Sequence, residues 1–406
     1  MVQGPVSIVL VGIGGMGGVY VRELLDSRER NSFRIAGAVD PEPGGCPRLD
    51  ELRAAGVPIV ASLEAFYRNR TAELAIISSP IQFHADQTSF ALARGSHVLC
   101  EKPVAGTIEE ARRMMDAERA AGRRVSVGYQ WSFSPAVQAL KTDIMAGLFG
   151  RPRRLKCLYL WPRDEPYYAR NDWAGKKRDA AGRWILDGPA QNAMAHDLHN
   201  MFYVLGRERA ASARPSEVEA ELCRAYPIEN HDTAAVRART EDGVEILLYV
   251  THVPRGEKGP HFAYEFERAV VRCSSRTSGV WAEFLSGERK DYGVPDAAPM
   301  AKLWEVIRCV RSGESPACGL EAASSQTLCV NGMEDSMPAV MEFPAAMRRA
   351  VEEKGARRVI VDGLDEALEA CYEAGALPSE LGFPWSERGR LVNLGTPYSF
   401  PPSAGS

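Results

Sequence analysis

Six positions near the start of the chain, Gly12-Ile13-Gly14-Gly15-Met16-Gly17, follow the apolar run Val6–Val11 and lead into a helical pattern carrying Val21, Leu24 and Leu25. Glycines at the first, third and sixth places each answer a separate demand. Gly12 permits a tight strand-to-helix turn, Gly14 lets a pyrophosphate approach the backbone, and Gly17 lets the helix pack closely on the sheet. The start of that helix supplies free N–H groups and a partial positive charge to phosphate. The next apolar run ends in Ala38-Val39-Asp40. A carboxylate there accepts hydrogen bonds from ribose hydroxyls, and Asp40 with Glu42 repels a 2′-phosphate. The chemistry is dinucleotide binding, with NAD favoured over NADP.

A second set lies between Asp187 and Gly206. At about 100° per residue, Met194, Leu198, Met201, Phe202 and Leu205 form one face of a helix. Asn192, His196, His199, Asn200 and Tyr203 form the opposite face. Neutral hydrogen-bonding groups in place of Lys and Glu suit a cleft for a polyhydroxylated ligand. His196 and His199 are neighbours at i, i+3, but no carboxylate or Cys at ligand spacing joins them, so no metal is expected. Upstream, the loop from Trp161 to Gly175 mixes aromatic rings with polar groups, and sugars stack their apolar faces on such rings. Tyr168, Arg170, Asn171 and Trp173 are the substrate candidates there, with Trp161 read as core and Lys176, Lys177 and Arg178 as a solvated turn.

These groups need a scaffold. Ser7–Val11, Phe33–Val39, Leu74–Ser78, His97–Cys100 and Val125–Val127 read as apolar strands, alternating with helices over Gly18–Asp26, Ala85–Arg94 and Ile108–Ala121. Fully apolar strands between helices imply parallel βαβ units in a doubly wound Rossmann sheet. From Gly128 the texture changes. Leu155–Trp161, Val218–Tyr226, Ala234–Thr240, Val244–Thr251, Phe262–Arg272 and Val280–Phe284 read as longer strands, and His261–Arg268 alternates apolar with polar residues. That is antiparallel grammar. Helices are expected over Met300–Arg311, Leu320–Gly332 and Ala345–Lys354. The fold class is thus α/β plus α+β: a domain over 1–127, then one over 128–406 with a large, mostly antiparallel open sheet and flanking helices.

The chain has 406 residues, 45% hydrophobic and 25% charged, with 49 basic against 53 acidic side chains. Such a chain folds, and it lacks the basic excess of a nucleic-acid or membrane-surface binder. Nine scattered cysteines without a Cys-x-x-Cys pair indicate a reducing compartment. With no leader pattern and no run of about 20 apolar residues, the cytoplasm is expected.

Three further strings follow the glycine loop in order: Ile76-Ile77-Ser78-Ser79-Pro80 with His84, Gly95-Ser96-His97-Val98-Leu99-Cys100-Glu101-Lys102-Pro103, and Gly128-Tyr129-Gln130. Together they resemble the glucose–fructose oxidoreductase, inositol dehydrogenase and rhizopine-catabolism family, called Gfo/Idh/MocA, well over residues 6 to 206 and only in pattern beyond. The resemblance implies an NAD-dependent oxidoreductase acting on a sugar, sugar derivative or cyclic polyol. It implies that Lys102 meets both nicotinamide and a substrate hydroxyl, after a Lys102–Pro103 bond open to the cis form. It also implies that Ser79, Pro80, His84 and Glu101 line the cofactor groove, with Gln130 near the domain junction. The family's Asp-x-x-x-His motif reads Asn192-x-x-x-His196 here. His196 therefore stands as general acid/base, while Asn192 cannot hold an imidazolium by charge; His199 is expected on the substrate. Two rivals share the fold: a glycosidase using transient oxidation by retained NAD, and a non-catalytic NAD- or sugar-responsive regulator. A homodimer or homotetramer built on the open sheet is implied as well.

Overall fold

The computed structural model describes residues 4–29, 31–353 and 355–401. They form two compact units. Of the described residues, the first unit takes those from 4 to 105, 109–133 and 298–324, and the second 106–108, 134–297 and those from 325 to 401. The units differ from the expected boundaries, 1–127 and 128–406, at three places: the first runs on to 133, takes in 298–324, and leaves 106–108 to the second.

In the first unit, strands β1 (Val6–Val11), β2 (Phe33–Val39), β3 (Ile59–Val60), β4 (Leu74–Ile77), β5 (His97–Cys100) and β6 (Val125–Val127) make one sheet in the order β3-β2-β1-β4-β5-β6. Every pairing is parallel. The strands β1, β4 and β6 are buried along their whole length, as a sheet covered on both faces requires. The order reverses between β1 and β4, which is where a doubly wound sheet opens its ligand crevice.

The second unit holds a ten-stranded sheet. Its strands are β7 (Pro152–Leu160), β8 (Pro215–Arg224), β9 (Thr233–Thr240), β10 (Glu245–Thr251), β11 (Lys258–Phe266), β12 (Ala269–Cys273), β13 (Val280–Phe284), β14 (Arg289–Gly293), β15 (Met341–Glu342) and, later in the chain, a two-residue strand at Val392–Asn393. The order runs β14-β13-β12-β11-β7-β10-β9-β8-β15, antiparallel except at β7·β10 and β8·β15. A separate hairpin pairs β16 (Arg348–Glu353) with β17 (Ala356–Val361), so Val392–Asn393 is β18.

Four expectations change. Phe262–Arg272 is two strands, because the Glu267 and Arg268 amides turn aside to the carbonyls of Arg151 and Phe149. The helix expected over Ala345–Lys354 is a short turn followed by β16, since the ladder to β17 overrides local helix preference; Lys354 lies outside the described residues. Asp187–Gly206 is not one helix. Pro189–Ala193 forms a π turn, Met194 adopts φ −113°, and an α-helix runs only over Ala195–Val204.

The fourth concerns the open sheet face. Leu158, Leu160, Ala235, Leu247 and Tyr249 on that face are buried against Leu364, Ala367, Leu368 and Cys371 of the helix Leu364–Ala374, with Phe343 and Trp385 completing the cluster. Residues of opposite parity on β7 and β11 face the helix Ala195–Val204, where Asn200 donates to the Tyr264 hydroxyl at 3.0 Å. The central strands β7 and β10 are thus covered on both sides, while on β11–β13 the same face still carries the exposed side chains of Arg272 and Glu283.

Leu368 is fully buried in that cluster. Leu368→Ala should cost about 2–5 kcal/mol, read as a lower urea midpoint for the second unit's transition. An unchanged midpoint would mean that the helix does not close the sheet.

Candidate functional site

The glycine loop leaves β1 at the switch point. Gly12 has φ +76°, and a Cβ there would lie 2.9 Å from the Ser79 amide nitrogen; at Gly17 a Cβ would come within 2.0 Å of the Gly12 carbonyl oxygen. Both are fixed as glycine by close approach. At Gly14 the nearest atom to such a Cβ is 3.6 Å away, with φ in an ordinary region. The protein leaves space at Gly14, as a backbone awaiting a phosphate should. No side chain caps the start of the helix Gly15–Asp26, so its field is available to an anion. Asp40 accepts from the Ile13 amide at 2.9 Å and the Glu42 amide at 2.8 Å. It thereby ties the glycine loop to the end of β2, and its remaining lone pairs can still meet ribose hydroxyls. These residues fit a dinucleotide.

Ser79, Pro80 and Gln130 are half-buried after β4 and β6. His84 departs from its expected place in the groove: it is buried, with Nδ1 2.9 Å from the Pro103 carbonyl and Nε2 2.9 Å from that of Ser79. Burial pushes its pKa down while the two carbonyl contacts oppose that shift, and the ring braces the loop after β4 against the Lys102–Pro103 peptide, which is cis. Glu101 likewise does not line a groove. Its buried carboxylate accepts from the Tyr20 hydroxyl at 2.7 Å, from Lys302 Nζ, and from the Lys102 amide at 3.2 Å. Burial raises the Glu101 pKa, but Lys302, Tyr20 and Lys102 outweigh it and hold the carboxyl below the usual range. A Cβ at Gly128 would fall 2.8 Å from this carboxylate, so Gly128 completes the box. Lys102 itself stays half-buried above it. Lys302 gave no signal in the sequence, because a lone lysine in an amphipathic helix reads as solvated; here it is 1% exposed.

In the second unit the π turn moves Asn192 off the helix and sets its Nδ2 2.8 Å from Asp187 Oδ1. Asp187 also accepts from the Gly175 amide at 2.7 Å and lies 3.5 Å from Arg170. Asp187, five residues before Asn192, is the carboxylate that holds the Asn192 amide. Along the helix Ala195–Val204, only His196 of the expected polar face remains half-buried; His199, Asn200 and Tyr203 are buried. His199 stacks on Tyr203 with ring centroids 5.5 Å apart, and burial with Lys141 nearby pushes it to about 3. It is a core histidine, which corrects its assignment to substrate. The Asn171 side-chain Oδ1 accepts from the amides of Trp173 and Ala174, closing a turn. The expected solvated turn is also revised, since Lys177 pairs with buried Glu334 at 2.9 Å.

Trp161 is not core. It extends β7, its amide donating to the Thr251 carbonyl, and it stacks on Tyr159 at 5.2 Å. The guanidiniums of Arg163 and Arg276 lie 3.7 and 4.8 Å from its ring centroid. Arg170 lies against Tyr167 and Trp173. Tyr168 meets His252 Nδ1 at 2.9 Å, and a Cβ at Gly188 would lie 2.8 Å from His231 Nε2. Burial pushes His231 down to about 3 and His252 well below its ordinary value, so both rings are neutral. Sequence reasoning passed over Arg163, Arg276, His231 and His252. The only hint was the polar run Asn230-His231-Asp232-Thr233 between apolar strands.

Two predictions follow from these buried charges. Lys302→Met strands the Glu101 carboxylate and should cost about 3–5 kcal/mol, whereas the Glu101→Gln/Lys302→Met double variant should cost clearly less; equal losses in chemical denaturation would show the two are not a pair. Asp197 is buried on the helix Ala195–Val204 with both carboxylate oxygens lacking a hydrogen bond, and burial lifts it to about 6, with Arg276 opposing. Native protein then holds a proton that unfolded protein has lost, so stability falls as pH rises from about 4 to 6. Asp197→Asn should remove that loss, gaining up to roughly 3 kcal/mol at pH 7.5 and little at pH 4. A gain of the same size at both pH values would refute this origin.

Residues 6–129 match the family model for the oxidoreductase family with an NAD-binding Rossmann fold, and residues 137–275 match the GFO/IDH/MocA C-terminal domain. The rhizopine catabolism protein MocA of Rhizobium meliloti is 32% identical over 199 residues, 49% of this chain and 57% of that protein. An inositol 2-dehydrogenase of Renibacterium salmoninarum is 33% identical over 37% of this chain and 45% of its own length. The chain spans about half the length of these curated relatives. Among solved structures, the WlbA dehydrogenase of Bordetella pertussis, in complex with NADH and UDP-GlcNAcA, superposes with a TM-score of 0.67 at 22% identity, covering 82% of this chain and 97% of that one. That likeness concerns the fold. With both family models matched in order over most of its length, the chain belongs to the Gfo/Idh/MocA oxidoreductase family, and its first unit is an NAD-binding Rossmann domain.

Proposed function

We propose that the protein is an NAD-dependent dehydrogenase that interconverts a carbinol and a carbonyl on a sugar, sugar derivative or cyclic polyol. One observation carries the reading. Among the polar residues expected to face a ligand between positions 192 and 203, Asn192 and His196 alone stay half-buried while the others are absorbed into the core. A titratable imidazole kept reachable beside an anchored amide is what proton transfer at a hydroxyl needs. The names of the curated relatives, a rhizopine catabolism protein and an inositol dehydrogenase, support a polyol substrate.

When bound, NAD supplies the hydride acceptor or donor. The chain supplies the rest. The Gly12–Gly17 backbone and the helix start hold the pyrophosphate, and Asp40 holds the ribose hydroxyls. Lys102 orients and polarises the substrate oxygen with its ammonium, anchored from below by the Glu101 box. His196 takes the hydroxyl proton in the oxidative direction and returns it in reverse. Asn192, fixed by Asp187, orients substrate or imidazole without carrying charge. The aromatic residues Tyr168 and Trp173 border the substrate side, with Arg170 held between rings and Asp187. We also place the protein in the cytoplasm, supported by nine free, buried cysteines.

His196→Ala and Lys102→Ala should each lower turnover of a responsive sugar or polyol by about 10²–10⁴-fold, with NAD affinity retained. Asn192→Ala should cost less. Gly14→Val should abolish NAD binding and leave the fold intact, because its Cβ has room in the protein but not beside a pyrophosphate. Asp40→Ala should weaken NAD and narrow its preference over NADP. NADH absorbance and calorimetry read these outcomes. Near-full turnover in both His196→Ala and Lys102→Ala would remove the mechanism.

A further inference from the structure

Arg163 stands out among the groups the proposed mechanism does not use. It follows β7, and its amide donates to the His252 carbonyl at 2.9 Å, so the backbone is fixed by continuing the β7·β10 pairing. The guanidinium lies against Trp161 and, at 4.8 Å from the ring centroid, Tyr167. Nη1 reaches the Pro162 carbonyl at 3.2 Å, while Nε is buried without a hydrogen-bond partner. Among the described residues no carboxylate lies within ion-pair distance of it. Its neighbours are matched: Arg170 has Asp187 and Arg276 has Asp296, each at 3.5 Å.

Two stacked aromatic rings stabilise such a cation only modestly, and a half-buried guanidinium without a counter-charge is a cost unless something else meets its fork. The Tyr167 hydroxyl accepts from the guanidinium, and the buried, neutral His252 ring feels its charge. A half-buried cation thus lacks a counter-charge, which calls for an anion. Arg presents paired donors that match the two oxygens of a planar carboxylate.

We propose that the substrate is a carboxylated sugar or polyol, a uronate or aldonate in chemical class, whose carboxylate is received by Arg163. This deepens the dehydrogenase reading and rests on it only for turnover; binding tests it separately.

The full chain with NADH present, so that sugar oxidation does not proceed, is titrated calorimetrically with D-glucuronate, D-galacturonate, D-mannuronate and D-gluconate. Matched titrations use D-glucose, D-galactose, D-mannose and glucose 6-phosphate. At least one acid should bind about tenfold or more tighter than its neutral counterpart, a difference of about 1.4 kcal/mol. Arg163→Gln should erase that ratio without changing NADH affinity, and Arg163→Lys should restore part of it. The inference is overturned if no acid binds, if acid and neutral sugar bind alike, if Arg163→Gln keeps the ratio, or if glucose 6-phosphate shows the larger, Arg163-dependent gain. Assays with NAD then separate the two readings. An acid that binds through Arg163 but yields no NADH sinks the dehydrogenase and leaves the carboxylate site. Turnover of neutral sugars that ignores Arg163→Gln does the reverse.

Discussion

A carboxylate taken out of water has to be matched by charge and hydrogen bonds, and in the first unit that requirement falls on Glu101. Its partners are Tyr20 from the helix after the glycine loop, the amide of Lys102, and Lys302, which stands 201 positions further along. Removing any one leaves a buried charge short of partners, an expensive state in a low-dielectric interior. The pair therefore recruits the segment 298–324 into a Rossmann unit that would otherwise end near residue 133. It also holds the peptide carrying Lys102, while His84 holds the far side of the same loop through Pro103. The residue proposed to touch substrate is positioned from beneath by groups that never meet it.

The second unit solves a different problem with the same physics. Its central strands have helix on both faces and are buried, and one set of polar groups collects where those strands end. β7 and β10 run parallel, and their C-terminal ends deliver Trp161, Arg163 and His252 side by side, with His231 entering from the start of β9. Asp187 organises the neighbouring segment by accepting from Gly175 and Asn192 and facing Arg170. The histidines here are neutral because burial opposes their charge. They stay enclosed, whereas His196, the imidazole proposed to move a proton, is half-buried at the start of its helix.

Sequence alone determined the parts whose signal is local. The glycine spacing with Asp40, the apolar strands of the first sheet and the Glu-Lys-Pro string each follow from a constraint met within a few residues: close approach, two-sided burial, or a turn. The limits of β2, β5, β6 and β13 and of the helix Ile108–Ala121 agree with the structure for that reason. What the tertiary structure decided was the fate of polar residues whose partners are far away in the chain. Helical periodicity put Asn192, His199 and Tyr203 on one face, but it could not tell a ligand cleft from a buried seam. Lys302 carried no sequence signal and is buried, because its counter-charge lies in another element. Arg348–Glu353 looked helical and is a strand, because β17 offers it a ladder. Local pattern fixes which surface of an element is apolar; what covers that surface, and which charges are left without a partner, depends on contacts between segments that no local window contains.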